Sequence, residues 1–379
     1  MRKPRKLPRN NINKDHLHIF MWVIILLKKF AFFLAVLFLI PFHAYAAEIS
    51  AQSAIVMDAY TGIILYEKNA YEERSMASTT KIMTALLAIE SGRLDETVSI
   101  TNEMLQTEGS SMGLRDGDAM TLKELITGMM LTSGNDSANA VAYFLSGSIE
   151  KFSALMNQRA KELGMNNSYF VTPSGLDEGE HHSTAYDMAL LTAQAVKSET
   201  FCEIVSLKSA ELVIDGKKVT VYNHNKLLSR DEDFFGVKTG FTEKAGRCLV
   251  SAKNYNGNKL ICVTLNAPDD WNDHMELLDE CESKYNEYEL SDTLEINVVG
   301  SRVDTVAASY KETYYILSDL KIEVYHKPFY YAPVRKGDIL GYVCVYSHEN
   351  LIERLPVKAD EDVEYYAGEE QSTSAEIHG

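Results

Sequence analysis

Between Arg74 and Gly92 the chain reads RSMASTTKIMTALLAIESG. Ser78 precedes Lys81 by three residues, just under one helical turn. At the start of an apolar helix expected over Ser78 to Glu90, the two side chains project from one face and can touch. A hydroxyl beside an amine is a nucleophile beside a base, provided that the amine is neutral. The spacing alone decides nothing, because Ser148 to Lys151 and Ser318 to Lys321 repeat it, and a serine at a helix start is most often a cap. Two further triplets add weight: Ser133-Gly134-Asn135 in LTSGNDSANA and Lys238-Thr239-Gly240 in FFGVKTGFTEKAGR, separated by 55 and 105 residues in the order S-x-x-K, S-x-N, K-T-G. Ser137-Ala138-Asn139 is a second S-x-N, whereas K-T-G occurs once.

The surroundings place each triplet. AIVMDAYTGIILYEKN, Ala54 to Asn69, alternates around a turn and reads as a hairpin. Helical patterns follow over Thr121 to Met130, Asn135 to Leu145, Ile149 to Leu163 and Thr184 to Lys197. SAELVIDGKKVTVY bends at Asp215-Gly216, and RCLVSAKNYNGNKLICVTLNA bends at Asn256-Gly257, a strong hairpin signal. A helix is expected over Asp270 to Tyr285. Strands, a helical block and strands again predict an α/β fold with an antiparallel sheet. From about Leu290 short alternating runs broken by Gly, Pro, Asn and Asp predict a small all-β domain over residues 290–366. AGEEQSTSAEIHG, from Ala367 to Gly379, reads as a disordered polar tail.

The beginning of the chain is a different kind of segment. Lys28 and Lys29 precede an apolar run from Phe30 to Phe42, and Ala44-Tyr45-Ala46 offers a cleavage site, so residues 1–46 read as a signal peptide and Ala47 as the mature start. An uncleaved anchor is the alternative. Without that segment, 29 basic side chains face 53 acidic ones, a net charge of −24 against −17 for the whole chain. That balance argues against nucleic acid and against anionic lipid as partners. The five cysteines are odd in number and scattered, which reads as small buried side chains rather than a disulfide framework or zinc site.

On ASTTKIMTALLAIE, LTSGNDSANAVA, TPSGLDEGEHHSTAYDMALL, YNHNKLL and GVKTGFTEKAGRCLVSA, the chain resembles the D-alanyl-D-alanine carboxypeptidases, which are low-molecular-mass penicillin-binding proteins, from about Ala51 to the end of the small β domain. The resemblance implies a penicillin-binding-protein/serine β-lactamase-like catalytic domain over residues 47–289. It implies an exported enzyme that removes the terminal D-alanine from peptidoglycan stem peptides ending in D-Ala-D-Ala, is acylated by β-lactam antibiotics, and needs no cofactor or metal. Ser78 then forms the acyl-enzyme, near a helix start where unpaired amides favour an oxyanion. Lys81 takes its proton, and bringing a lysine from ~10.4 to near 7 asks for about 4 to 5 kcal/mol. Ser133 relays a proton to the leaving amine, Asn135 holds the substrate amide, and Lys238 is the second cation. Thr239 and Gly240 line the strand for an extended peptide, and the amide of Phe241 joins that of Ser78 in the oxyanion hole.

Arg247 reads as an exposed strand arginine, with binding of the substrate carboxylate as the alternative, and His181 and His182 read as loop residues. Glu178 and Glu180 lie where a class A β-lactamase carries its deacylating glutamate, but no such motif is evident. Competing functions are a serine β-lactamase, a D,D-endopeptidase or transpeptidase, and an inactive peptidoglycan-binding module. The acidic tail differs from the amphipathic helix with which many of these carboxypeptidases end, so membrane contact is left open.

Overall fold

A computed structural model of the chain describes residues 49–317, 319–347 and 350–367. The expected signal peptide over 1–46 and all but the first residue of the tail lie outside the described residues.

The described residues lead first into the expected hairpin, β1 (Ser53–Asp58) and β2 (Ile64–Lys68). A 3₁₀ turn over Ala77–Thr80 leads into α1 (Lys81–Glu90). After the short pair β3 (Thr97–Ser99) and β4 (Ala119–Thr121) come α2 (Leu122–Thr132), α3 (Asn135–Ser146), α4 (Ile149–Glu162), α5 (Ala185–Ala195) and α6 (Glu199–Ser206). Then follow the hairpin β5 (Ser209–Ile214) and β6 (Lys217–Tyr222), α7 (Leu227–Arg230), the strands β7 (Phe234–Thr242), β8 (Gly246–Tyr255) and β9 (Asn258–Leu265), and α8 (Asp270–Glu282). The sequence pattern missed α6 and α7, which are eight and four residues long, too short for an apolar period to declare itself.

The main sheet is antiparallel with order β2-β1-β9-β8-β7, so β7, which carries the K-T-G triplet, forms one edge. Its three central strands, β1, β9 and β8, are buried on both sides, as in a sandwich. Ile55, Met57, Val250 and Ile261 face the core that also holds α1, α2 and α5. The opposite face meets α8, whose His274 bonds Ser251 Oγ at 2.7 Å and Thr264 Oγ1 at 2.9 Å. Asn256 and Gly257 both have positive φ, 46° and 82°, as the tightest hairpin turn between β8 and β9 requires.

The second sheet is all β: β10 (Asn286–Val299), β11 (Thr305–Ile316), β12 (Leu320–His326), β13 (Tyr330–Tyr331), β14 (Ile339–Ser347) and β15 (Asn350–Ala359), in the order β12-β14-β15-β11-β10-β13. It has its own core around Ile296, Val306, Val343 and Val357. Four of the five cysteines are buried, Cys202 is half-buried, and all five are free thiols.

Candidate active site

Ser78 does not stand in the α-helix itself. The helix begins at Lys81, and Ser78 belongs to the 3₁₀ turn before it. The preceding Ala77 is left-handed, with φ +49°, a conformation that disfavours a residue with a Cβ by roughly 1–2 kcal/mol. Two side chains close this turn: Thr79 Oγ1 donates to Met76 O at 2.7 Å and Thr80 Oγ1 to Ala77 O at 2.8 Å. β7 packs against it on one side, where a Cβ on Gly240 would come within 3.1 Å of Met76 O and 3.2 Å of Ser78 N. From another direction Gly175 approaches so closely that a Cβ there would lie 1.9 Å from Ala77 O. Glycine is therefore required at position 175, and at position 240 a side chain would press tightly on the serine's turn.

Lys81 is fully buried. Its Nζ lies 2.9 Å from Ser78 Oγ and donates to Asn135 Oδ1 and to Ser174 O, each at 2.7 Å. A neutral amine has two N–H bonds and one lone pair, so donating to those two oxygens leaves the lone pair for the Ser78 hydroxyl. Burial pushes the Lys81 pKa well below its ordinary value, the charge of Lys238 pushes the same way, and Asp136 opposes both. Lys238 is itself buried and lowered by desolvation to about 7, with its Nζ donating to Thr239 O at 2.8 Å. The second cation expected from the sequence thus acts on the first.

Ser133 ends α2 in the left-handed conformation, φ +63°. Asn135, the first residue of α3, uses its side chain to join Lys81 to the loop before α2, since its Nδ2 donates to Glu108 O at 2.7 Å. Asp136 fixes that loop by accepting from Ser111 Oγ and from the amides of Met112, Gly113 and Leu114.

A cleft of about 310 Å³ opens over these groups, lined by Ser78, Ser110, Ser133, Thr239, Gly240 and Phe241 and closed on one side by His224, Lys226, Arg247, Asp270 and Trp271. Five of the eight residues singled out as the site therefore line the cleft; Lys238 and Lys81 touch two of those five, Thr239 and Ser78, and Asn135 touches Lys81. Arg247 is not a free strand arginine: it grips the buried Asp270 with two guanidinium nitrogens at 2.8 and 3.0 Å and faces Trp271. Glu178 and Glu180 are exposed and do not line the cleft. His181 and His182 are both loop residues, as expected; His182 is partly exposed, whereas His181 is buried. Thr80, Asp136, Ser174, Gly175 and His181 were not singled out from the sequence as parts of the site, although all five lie inside the quoted resembling stretches.

The family model for D-alanyl-D-alanine carboxypeptidases of peptidase family S11 matches residues 41–269. The chain belongs to that family. It is a serine-type D-Ala-D-Ala carboxypeptidase. The carboxypeptidase is 33% identical over 333 residues to D-alanyl-D-alanine carboxypeptidase DacF of Bacillus subtilis, covering 83% of this chain and 86% of the relative. To DacC of Escherichia coli it is 32% identical, over 89% of this chain and 92% of the relative. Among solved structures, the carboxypeptidase DacD of Francisella tularensis superposes with a TM-score of 0.59 at 28% identity, covering 84% of this chain and 94% of that one. The DD-transpeptidase of Streptomyces K15, in a point-mutant form, gives a TM-score of 0.60 at 30% identity and is matched over 100% of its own length and 63% of this chain.

Proposed function

We propose that this carboxypeptidase works through an acyl-enzyme on Ser78, with Lys81 as the base, on stem peptides ending in D-Ala-D-Ala outside the cytoplasmic membrane. The observation that carries the reading is the contact of Ser78 Oγ with a buried lysine whose other two neighbours are neutral oxygens. Ser78 gives its proton to Lys81 Nζ as Oγ bonds to the penultimate D-Ala carbonyl carbon. The amides of Ser78 and Phe241 receive the oxyanion. The C–N bond then breaks, and the leaving D-alanine amine takes a proton by way of Ser133. Water cleaves the ester and restores Ser78. Penicillin enters by the same first step, its strained amide opening onto Oγ.

In this reading Asn135 orients Lys81 and keeps one N–H of its Nδ2 for the substrate amide. Lys238 holds the C-terminal carboxylate together with Thr239, and β7, as an open edge, pairs with the extended peptide. Export is supported by the leader pattern in residues 1–46, to be checked by sequencing the N-terminus of the protein recovered outside the cytoplasm. A start at Ala47 supports cleavage, and a retained leader supports the anchor.

The test of the chemistry is an intact mass measured after incubation with penicillin and, in parallel, D-alanine release from a D-Ala-D-Ala peptide. The wild type should carry one adduct, mapped to Ser78, and release D-alanine. Ser78→Ala should do neither. A stoichiometric adduct in Ser78→Ala would move the nucleophile elsewhere, and a wild type that binds but is never acylated would make the protein a binding module.

A further inference from the structure

His181 sits in the loop between α4 and α5, buried against the turn that carries the nucleophile. Its Nδ1 accepts from the amide of Val171 at 2.9 Å, with the amide of Thr172 at 3.4 Å. That nitrogen therefore holds the lone pair, and Nε2 carries the proton. Nε2 lies 2.9 Å from Thr80 Oγ1, which in turn donates to Ala77 O at 2.8 Å. The polarity of the chain is thus settled end to end: Val171 N–H to His181, His181 N–H to Thr80, Thr80 O–H to Ala77 O.

Ala77 O and Ser78 N–H belong to the same peptide plane and point in opposite directions. Anchoring the carbonyl on the His181 side aims the Ser78 amide the other way, past Gly240 and into the cleft. Ala77 holds the left-handed conformation that this orientation needs. Gly175, touching Ala77 O from the same loop, removes the Cβ that would displace the anchor.

We propose that His181, acting through Thr80, is a positioning residue that sets the Ser78 amide as an oxyanion donor. The role requires a neutral ring. Burial lowers His181 to about 4, with Asp177 opposing and His182, Lys244 and Lys81 reinforcing that shift. The inference rests on Ser78 being the nucleophile, and the two fail differently: a wrong nucleophile shows as an adduct in Ser78→Ala, a wrong relay as unaltered Ser78 acylation in the variants below.

The experiment measures kcat and KM for a D-Ala-D-Ala peptide, and the affinity of a peptide boronic acid whose tetrahedral adduct places an oxygen in the hole. The proteins are the wild type, His181→Leu, His181→Gln, Thr80→Val and the Leu/Val double variant. Loss of an oxyanion donor lowers kcat by about 10²–10³, so misaiming one should lower it by roughly 10–100-fold. KM should stay within about threefold, boronate affinity should fall with kcat, and the double variant should be no worse than the worse single one. His181→Gln, which keeps a donor and an acceptor, should recover part of the loss. Should His181→Leu fail to fold, Thr80→Val decides, since it exchanges one hydroxyl for a methyl. A kcat within twofold of wild type in folded Thr80→Val, or losses that multiply in the double variant, would overturn the proposal.

Discussion

Two buried lysines in this molecule have opposite fates. Lys81, under the cleft, and Lys253, on β8, are both hidden from solvent. Burial pushes each amine toward the neutral form. Lys253 meets Asp231 at 3.0 Å and Glu282 at 2.7 Å, and those bonds outweigh burial and hold its pKa above the ordinary lysine value. Lys81 meets a hydroxyl, a side-chain amide oxygen and a backbone carbonyl, with Lys238 as its charged neighbour, and its pKa falls. Lys81 lies deeper, and burial is the largest cause of its fall, while at Lys253 the carboxylate partners reverse the direction that burial alone would give. A lysine becomes a base where the fold withholds the carboxylate that would otherwise accompany it.

The largest expected difference is in acylation. Lys81→Met should lower the penicillin acylation rate by roughly three orders of magnitude or more, because among the described residues the amine is the only proton acceptor placed at Ser78. Lys253→Met should leave that rate within about threefold. Near-normal acylation in Lys81→Met would shift the base to Lys238 or a histidine and dissolve the contrast.

Next comes Lys238. Both the protein and a stem peptide with a free carboxylate are acidic, so long-range attraction cannot assemble them and a local cation must. Lys238→Gln should lose on the order of 2–4 kcal/mol in kcat/KM for a peptide acid, but much less for its C-terminal amide. In the wild type, the acid-to-amide ratio of kcat/KM should fall as pH rises through about 7, where Lys238 gives up its charge. Equal losses for acid and amide would leave Lys238 only a part in proton transfer.

Stability should reverse the order of the two lysines. Lys253→Met strands Asp231 and Glu282, whose side chains keep 23% and 19% of their surface in water. A loss of about 1–3 kcal/mol in chemical denaturation is expected, below the roughly 3–5 kcal/mol typical of a fully buried pair. Lys81→Met should unfold at the same denaturant concentration as the wild type or at a higher one.

The last effect concerns acid. His181 is lowered to about 4 and His274 to about 3, mainly by burial. The unfolded chain takes up these protons near 6.5 while the folded one does not, so their contribution is intact above 6.5 and lost as pH falls toward 4. His274→Gln should flatten the fall of stability between about pH 6.5 and 3, as read from midpoints of denaturation. An unchanged slope would mean that the ring is already charged between Ser251 and Thr264.

Much of this was legible in the sequence because it is written in local pattern. The hairpin at Asn256-Gly257 and the helix from Asn135 fall where turn chemistry and apolar period put them, and the three triplets do meet. What was not legible depends on contacts between distant segments. No periodicity announces that Ala77 is left-handed, or that Gly175 and Gly240 close on it from two sides. His181 and His182 are the same residue type side by side, and only the folding of the loop onto Thr80 separates a buried ring from a partly exposed one. The strand arginine Arg247 likewise acquires its meaning from Asp270, which is 23 residues away.

The decisive measurement is a ¹³C NMR titration of the lysine Cε resonances in protein labelled at lysine, with Lys81 and Lys253 assigned by Lys81→Arg and Lys253→Arg. Lys81 should already show the neutral amine at a pH where Lys253 is still an ammonium, its transition lying well below the ordinary 10.5. Two lysines that titrate together at or above 10.5 would show that Lys81 is charged during catalysis and cannot be the base for Ser78.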